Sequence, residues 1–238
     1  MRETLAMVLS LTGVTAQPRP ELRAIKSSIL GRERSLPHLE RKLYHMMMGL
    51  LCFSLYAFVL TQGQAVALLL GVGGVWVGLD LLRLRSPKVN SLAMALFGKL
   101  MRREELNGMT ANSFYILGML VSVAFFSKPV VLLSVLFLAL GDPIAAIIGS
   151  LYGKHKLIGK KSLEGAFANF LLCGAASFLF AMGYLNHAAE TALTIGLIGG
   201  LVSVTAELIP APIDDNFTIP VFSAVLLSLI GSLGILSF

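Results

Sequence analysis

The chain has 238 residues, of which 56% are hydrophobic and only 13% charged, and its formal net charge is +6. Soluble globular chains carry about 25% charged residues, so this sequence cannot cover a water-facing surface, and a soluble enzyme, a disordered chain, a coiled coil and a disulfide scaffold are excluded. The apolar runs are long and unbroken, which selects a helical membrane protein over the alternating segments of an outer-membrane barrel. The basic residues are spread over three loops without interleaved aromatics, so they read as membrane-facing charge and not as a nucleic-acid surface. Cys52 and Cys173 sit inside apolar runs, where a thiol behaves as a small hydrophobe.

Residues 1–36 are expected to form a cytoplasmic extension ahead of a membrane-embedded domain, 37–238. The first residues imitate a signal peptide, but Glu3, Ser10 and Thr12 interrupt the apolar stretch, and cleavage would export the basic segment from Arg19 to Arg34. Between Lys42 and Asp80 run 37 residues without a formal charge. As one helix they would be about 55 Å long, too long for one crossing of a hydrocarbon core of about 30 Å. The polar break from Thr61 to Gln64 divides them into span 1, Leu43–Leu60, and span 2, Ala65–Leu82. Span 3 runs from Ser113 to Phe126 and is stopped by Lys128 and Pro129. Span 4 runs from Val130 to Ser150, span 5 from Gly165 to Leu185, span 6 from Thr191 to Ile209 and span 7 from Phe217 to Phe238.

The basic residues support this count. Segments 1–42, 83–112 and 150–163 hold 8, 6 and 4 Lys and Arg, all on one side of a seven-span chain, while the other side holds only Lys128. That segregation places the N-terminus in the cytoplasm and the C-terminus outside. Within 83–112, Val89, Leu92, Ala93, Leu96, Phe97 and Leu100 recur at helical spacing, with Lys88, Lys99, Arg102 and Arg103 off the stripe, as in a helix lying in the headgroup plane. The expected fold is all-α: a polytopic bundle of about seven transmembrane helices plus an interfacial amphipathic helix, set in the cytoplasmic membrane of a prokaryote.

Ionisable residues within spans are costly and therefore candidates for function. Asp142 lies in the run Gly141-Asp142-Pro143 inside span 4. Glu207 and the pair Asp214 and Asp215 flank the proline-rich joint from Ile209 to Ile213. Asp80 ends span 2 beside Arg83, where a functional group and a solvated interfacial pair are equally open. All fall in the cytoplasmic half, with Arg41, Lys42, and His45 one helical turn after Arg41. The segment from Gly149 to Gly165 adds glycines, which let a backbone approach an anion, and four lysines, Lys154, Lys156, Lys160 and Lys161. A polyphosphate is the natural guest, although the spacing of Gly153, Gly159 and Lys160 is not that of a Walker A loop. Asp214, Asp215 and Asn216 offer hard oxygens that suit Mg²⁺ shared with phosphate; Asp215 or Asn216 would equally cap span 7.

Four blocks resemble the family of CTP-dependent lipid kinases, which act on dolichol, phytol or diacylglycerol. The first is Leu39-Glu40-Arg41-Lys42-Leu43-Tyr44-His45. The second runs from Arg103 to Thr110 and leads into Tyr115 and Gly118. The third combines Gly141, Asp142, Pro143, Ala145, Gly149, Gly153 and Lys154 with Lys161-Ser162-Leu163-Glu164-Gly165. The fourth is Glu207 followed by Asp215-Asn216-Phe217-Thr218-Ile219-Pro220. The resemblance implies transfer of phosphate from CTP to a lipid hydroxyl, giving lipid phosphate and CDP. Matched to its motifs are Arg41, Lys42, Asp142, Gly149, Gly153, Lys161, Glu164, Asp215 and Asn216; with the Gly- and Lys-rich segment added, Asp142, Arg41 and Lys42 are expected at the reacting groups and Gly149, Gly153, Lys154, Lys160, Lys161, Ser162 and Glu164 at the nucleotide. Asp142, Asp215 and Asn216 are expected at Mg²⁺, with His45 and Glu207 nearby. Asp214 is an added carboxylate outside the pattern. A cytidylyltransferase releasing pyrophosphate and a transporter are the alternatives; the crowding of charge at one membrane edge counts against transport.

Overall fold

The computed structural model describes residues 39–97 and 104–236. All of them belong to one compact unit, His38–Phe238; the extension 1–36 and its signal-like start lie outside the described residues. The helices are α1 (Leu39–Phe58), α2 (Gln62–Arg85), α3 (Pro87–Phe97), α4 (Ala111–Phe125), α5 (Lys128–Tyr152), α6 (Leu163–Gly183), α7 (Ala189–Leu208) and α8 (Asp215–Ser232). Five of them, α2 and α5 to α8, are long and apolar enough to cross a membrane, so the chain is a multi-pass helical membrane protein.

Local chemistry sets the ends. Thr61 caps α2, accepting from the Gln64 amide, while the Gln64 side chain accepts from the Thr61 N–H. The polar break between spans 1 and 2 is therefore mostly a capping box, and Gln62 to Gln64 join the helix. Thr110 caps α4, Ser162 caps α6 and Asp214 caps α8. Pro129 falls in the first turn of α5, where its missing N–H costs nothing. Lys128 donates to the Leu60 carbonyl at 3.0 Å and stands over the Tyr56 ring.

The centre of the bundle is α5, whose residues Val130 to Ala139 are all buried. It packs against α1, α6 and α8. Lipid tails are as apolar as leucine, so close approach, more than water exclusion, holds such helices together. Small residues supply it. A Cβ on Gly196 of α7 would stand 3.0 Å from the Gly174 carbonyl of α6, and one on Gly118 of α4 would stand 2.9 Å from the Phe217 Cα of α8. In α5, Pro143 has no N–H to give the Ala139 carbonyl. A π-helical turn, Phe137–Gly141, lies at that point, and the helix continues through it.

One expectation is corrected. The bundle is all-α as expected, but the segment after α5, read as a loop, forms a short antiparallel hairpin, β1 (Lys156–Ile158) and β2 (Lys161–Ser162). Its connection includes Gly159 at φ 57°, a conformation that disfavours side chains. The amphipathic segment is helical as expected in α3, where Val89, Leu92, Ala93 and Leu96 face a cavity; residues 98–103, including Lys99, Leu100, Arg102 and Arg103, lie outside the described residues, as does the Phe97 side chain.

Candidate active site

Four helices and the hairpin bring charged side chains together. At the start of α1, Lys42 Nζ lies 2.6 Å from Asp142 Oδ2, just past the π turn of α5, with both side chains mostly buried. On β2, Lys161 Nζ lies 3.3 Å from Asp215 Oδ2 at the start of α8 and donates to the Glu207 carbonyl at the end of α7. Glu207 is under the electrostatic influence of Lys161, Asp142 and Asp215, and Asp215 under that of Lys161 and Asp142. The two ion pairs thus lie within electrostatic reach of each other, brought together from positions as far apart in sequence as 42 and 215.

A polar track leads into the bundle behind Glu207. Asn169 of α6 donates to Glu207 Oε2 at 3.4 Å, and Ser203 Oγ donates to Asn169 Oδ1 at 2.7 Å. Gly141 makes room for it: a Cβ there would stand 2.6 Å from Asn169 Oδ1 and 2.9 Å from Ser203 Oγ. Buried polar groups at this depth need such partners. Neither Asn169 nor Ser203 stands out in the sequence, because an uncharged polar residue in a span is common.

The expected nucleotide residues divide. Lys161 belongs to the charged cluster. Ser162 Oγ accepts from the Gly165 amide as a helix cap. Glu164 Oε1 lies 2.8 Å from His155 Nδ1 beside the hairpin. Lys154 and Lys160 are exposed on this segment. Gly149 and Gly153 face Ser162, whose Oγ would lie 3.0 Å and 2.7 Å from a Cβ at the two positions, so their missing side chains serve the seating of β2 on α5. Arg41 precedes Lys42 on α1, but its side chain lies outside the described residues.

Asp214 is the cap of α8, in place of Asp215 or Asn216. Its Oδ1 accepts from the Asn216 amide at 2.9 Å and from Asn216 Nδ2 at 2.7 Å. Among the described residues, no three His, Cys, Asp or Glu side chains are grouped to hold a metal ion. The donor chemistry still fits Mg²⁺, which needs only one or two carboxylates when phosphate and water complete its shell. Asp142 and Asp215 are such carboxylates, and Asn216 is next to the second.

Beside the cluster opens a cavity of about 440 Å³. Its lining includes the polar side chains Lys42, His45, Asp142 and Asn216 together with the apolar Trp76 and Leu79 of α2 and Val89, Leu92, Ala93 and Leu96 of α3. The His45 ring meets Tyr115 of α4 edge-on at 5.7 Å between centroids. Asp80 and Arg83 also line this cavity, and they are not a solvated pair: their relative exposures are 6% and 3%.

No protein-family profile matches the chain, and no solved structure matches it. Curated relatives do. The chain is 34% identical over 206 residues to CTP-dependent diacylglycerol kinase 1 of Eremothecium gossypii, covering 78% of this chain and 64% of that one. It is 32% identical over 207 residues to CTP-dependent diacylglycerol kinase 1 of Saccharomyces cerevisiae, covering 79% and 71%. The match thus spans about two thirds of the length of these fungal relatives. Phytol kinase 1 of Arabidopsis thaliana is 29% identical over 199 residues, covering 76% and 63%. With the charged motifs gathered at one site and a fungal kinase matched over most of both chains, this protein belongs to the CTP-dependent lipid kinase family.

Proposed function

We propose that this chain is an integral membrane kinase that transfers the γ-phosphate of CTP to a lipid alcohol, diacylglycerol or a polyprenol, at the cytoplasmic face, leaving a lipid phosphate and CDP. The observation that carries the reading is the Lys42–Asp142 pair lining the same cavity as the apolar side chains of α2 and α3. A lipid alcohol has that same division: one hydroxyl for the charged pair and chains for the apolar lining. About 440 Å³ admits a headgroup and the first part of the chains; the rest extends into the bilayer.

The reaction joins the lipid oxygen to the γ-phosphorus and breaks the bond from that phosphorus to the β-phosphate oxygen, so CDP leaves. Such transfers depend on positioning and on cations at the phosphoryl oxygens. In this reading Asp142 orients the hydroxyl and takes up its proton, and Lys42, with Arg41 beside it in the chain, neutralises the moving phosphoryl group. Lys161, seated between Glu207 and Asp215, holds the polyphosphate, with Lys154 and Lys160 adding positive charge. Mg²⁺, when bound by Asp142 and Asp215 beside Asn216 and by the nucleotide, would supply charge neutralisation. Seven spans, α1, α2 and α4 to α8, with a cytoplasmic N-terminus, put all these groups on one face, and α3 lies in the headgroup plane.

The test is label transfer by purified protein in nanodiscs supplied with diacylglycerol, a polyprenol or phytol. Label from γ-phosphate CTP is expected in the lipid, with ATP a poorer donor. Lipid labelled from the α-phosphate, with pyrophosphate released, would establish a cytidylyltransferase instead; no transfer from either position overturns both readings.

A further inference from the structure

Arg83 is placed as a junction. From α2 its Nε donates to Asp80 Oδ1 at 3.0 Å, its Nη1 to Asn90 Oδ1 of α3 at 3.1 Å, and its Nη2 to the carbonyls of Glu105 and Gly108 at 3.0 and 2.8 Å. Asp80 in turn accepts at Oδ2 from the Thr110 amide at 2.8 Å, Thr110 Oγ1 at 3.0 Å and Ser113 Oγ at 2.6 Å. A planar guanidinium can serve several acceptors at fixed angles, which a lysine cannot. One buried ion pair therefore ties together α2, α3, the 105–108 turn and the start of α4.

All four of those elements line the cavity. The helix α3 supplies much of the apolar lining and is itself little buried, with Leu92 and Leu96 62% and 67% exposed. A helix with so little burial of its own needs a tether to keep a fixed distance from Trp76 and Leu79. Arg83 to Asn90 is such a tether, from a buried anchor to the first half of α3.

We infer that Arg83 and Asn90 are positioning residues for the lipid acceptor: their hydrogen bond sets the width of the cavity between α2 and α3, and through it the affinity for the lipid but not for the nucleotide. This rests on the acceptor reading of the cavity. The hydrogen bonds of Arg83 run to Asp80, Asn90 and the 105–108 turn, not to Lys161, Glu207 or Asp215.

The experiment measures initial rates against lipid surface concentration and against CTP for wild type, Asn90→Leu, Asn90→Asp and Ala93→Trp in mixed micelles. Asn90→Leu is expected to raise the lipid KM about tenfold, the scale of one hydrogen bond to a charged group, with kcat and the CTP KM within about twofold, within the spread of additive surface changes. Asn90→Asp keeps an acceptor for Arg83 and should restore the lipid KM. Ala93→Trp fills the cavity directly and should also raise it. If Ala93→Trp raises the lipid KM and Asn90→Leu does not, the tether is refuted while the acceptor site stands. An unchanged lipid KM in Ala93→Trp refutes the acceptor site and the tether with it. A fall in kcat or a rise in the CTP KM in Asn90→Leu, unrescued by Asn90→Asp, would mean general disruption and also overturn the inference.

Discussion

Lys42 and Asp142 are a hundred positions apart in the chain and 2.6 Å apart in space. The pair joins α1 to α5 at the point where the π turn ends and the apolar cavity begins. Two mostly buried opposite charges are expensive to desolvate and contribute little net stability, which fits the chemical role proposed for them.

Asp142→Asn is accordingly expected to lower turnover by about a hundredfold, the scale of losing one electrostatic element of a transition state. The fold should persist, because the amide oxygen still accepts from Lys42. Turnover with CTP and diacylglycerol, beside detergent gel filtration, checks this; near-normal turnover in a well-folded variant would remove Asp142 from the site.

Charges are conspicuous in so apolar a chain, which is why Lys42, Asp142, Lys161, Glu207 and Asp215 are legible as candidates from the sequence alone, and why the helices can be outlined from gaps between charges. What escapes depends on neighbours that no local pattern names. Asp80 and Arg83 are visible as a pair, but their burial requires the turn from Glu105 to Thr110 to fold back onto α2. Gly149 and Gly153 are visible as glycines, but that Ser162 fills the space beside them follows from the hairpin. That hairpin has strands of three and two residues, too short to show the alternation that marks a strand. Asn169 and Ser203 carry no charge and give no signal.

The packing of α4 on α8 gives a prediction about stability alone. A Cβ on Gly118 would stand 2.9 Å from the Phe217 Cα and 3.0 Å from the Asn216 carbonyl, and backbone cannot turn aside as a side chain can. Pro220 has no N–H to donate to that same carbonyl, so the two helices meet where α8 is already irregular. Gly118→Ala should cost about 1–3 kcal/mol and Gly118→Val more. The thermal midpoint in detergent reads this directly. A midpoint equal to wild type for Gly118→Val would show that the helices separate without cost.

The topology is tested without activity. In the seven-span arrangement the hairpin is cytoplasmic, and the turn after α6, where Asn186 takes φ 57°, lies outside. Single cysteines at Lys156 and at Asn186, in a chain lacking Cys52 and Cys173, should react with an impermeant maleimide from opposite sides of the membrane. Labelling of both from the same side would break the shared face on which Lys42, Lys161 and Asp215 are proposed to act.

The neighbours Asp214 and Asp215 are expected to separate by role. The Asp214 carboxylate accepts from two nitrogens of Asn216 and caps the start of α8. Asp215 points instead to Lys161 and shares the field of Asp142. Asparagine caps a helix about as well as aspartate, so Asp214→Asn should leave turnover, Mg²⁺ dependence and thermal midpoint close to wild type. Asp214→Ala removes the cap and should lower stability by about 1 kcal/mol with turnover per folded molecule retained. Asp215→Asn exchanges the charged oxygen proposed to bind Mg²⁺ for a neutral one. It should shift the Mg²⁺ concentration for half-maximal rate upward by about tenfold or more, the scale of losing a supporting group at a metal site, and lower the rate even at saturating Mg²⁺ because Lys161 loses its partner. Initial rates across a Mg²⁺ titration for the three variants, with thermal midpoints measured on the same preparations, separate the two roles. An upward shift in Asp214→Asn with Asp215→Asn unchanged would transfer the ligand to Asp214, and the α8 cap would then have to open for the metal to bind.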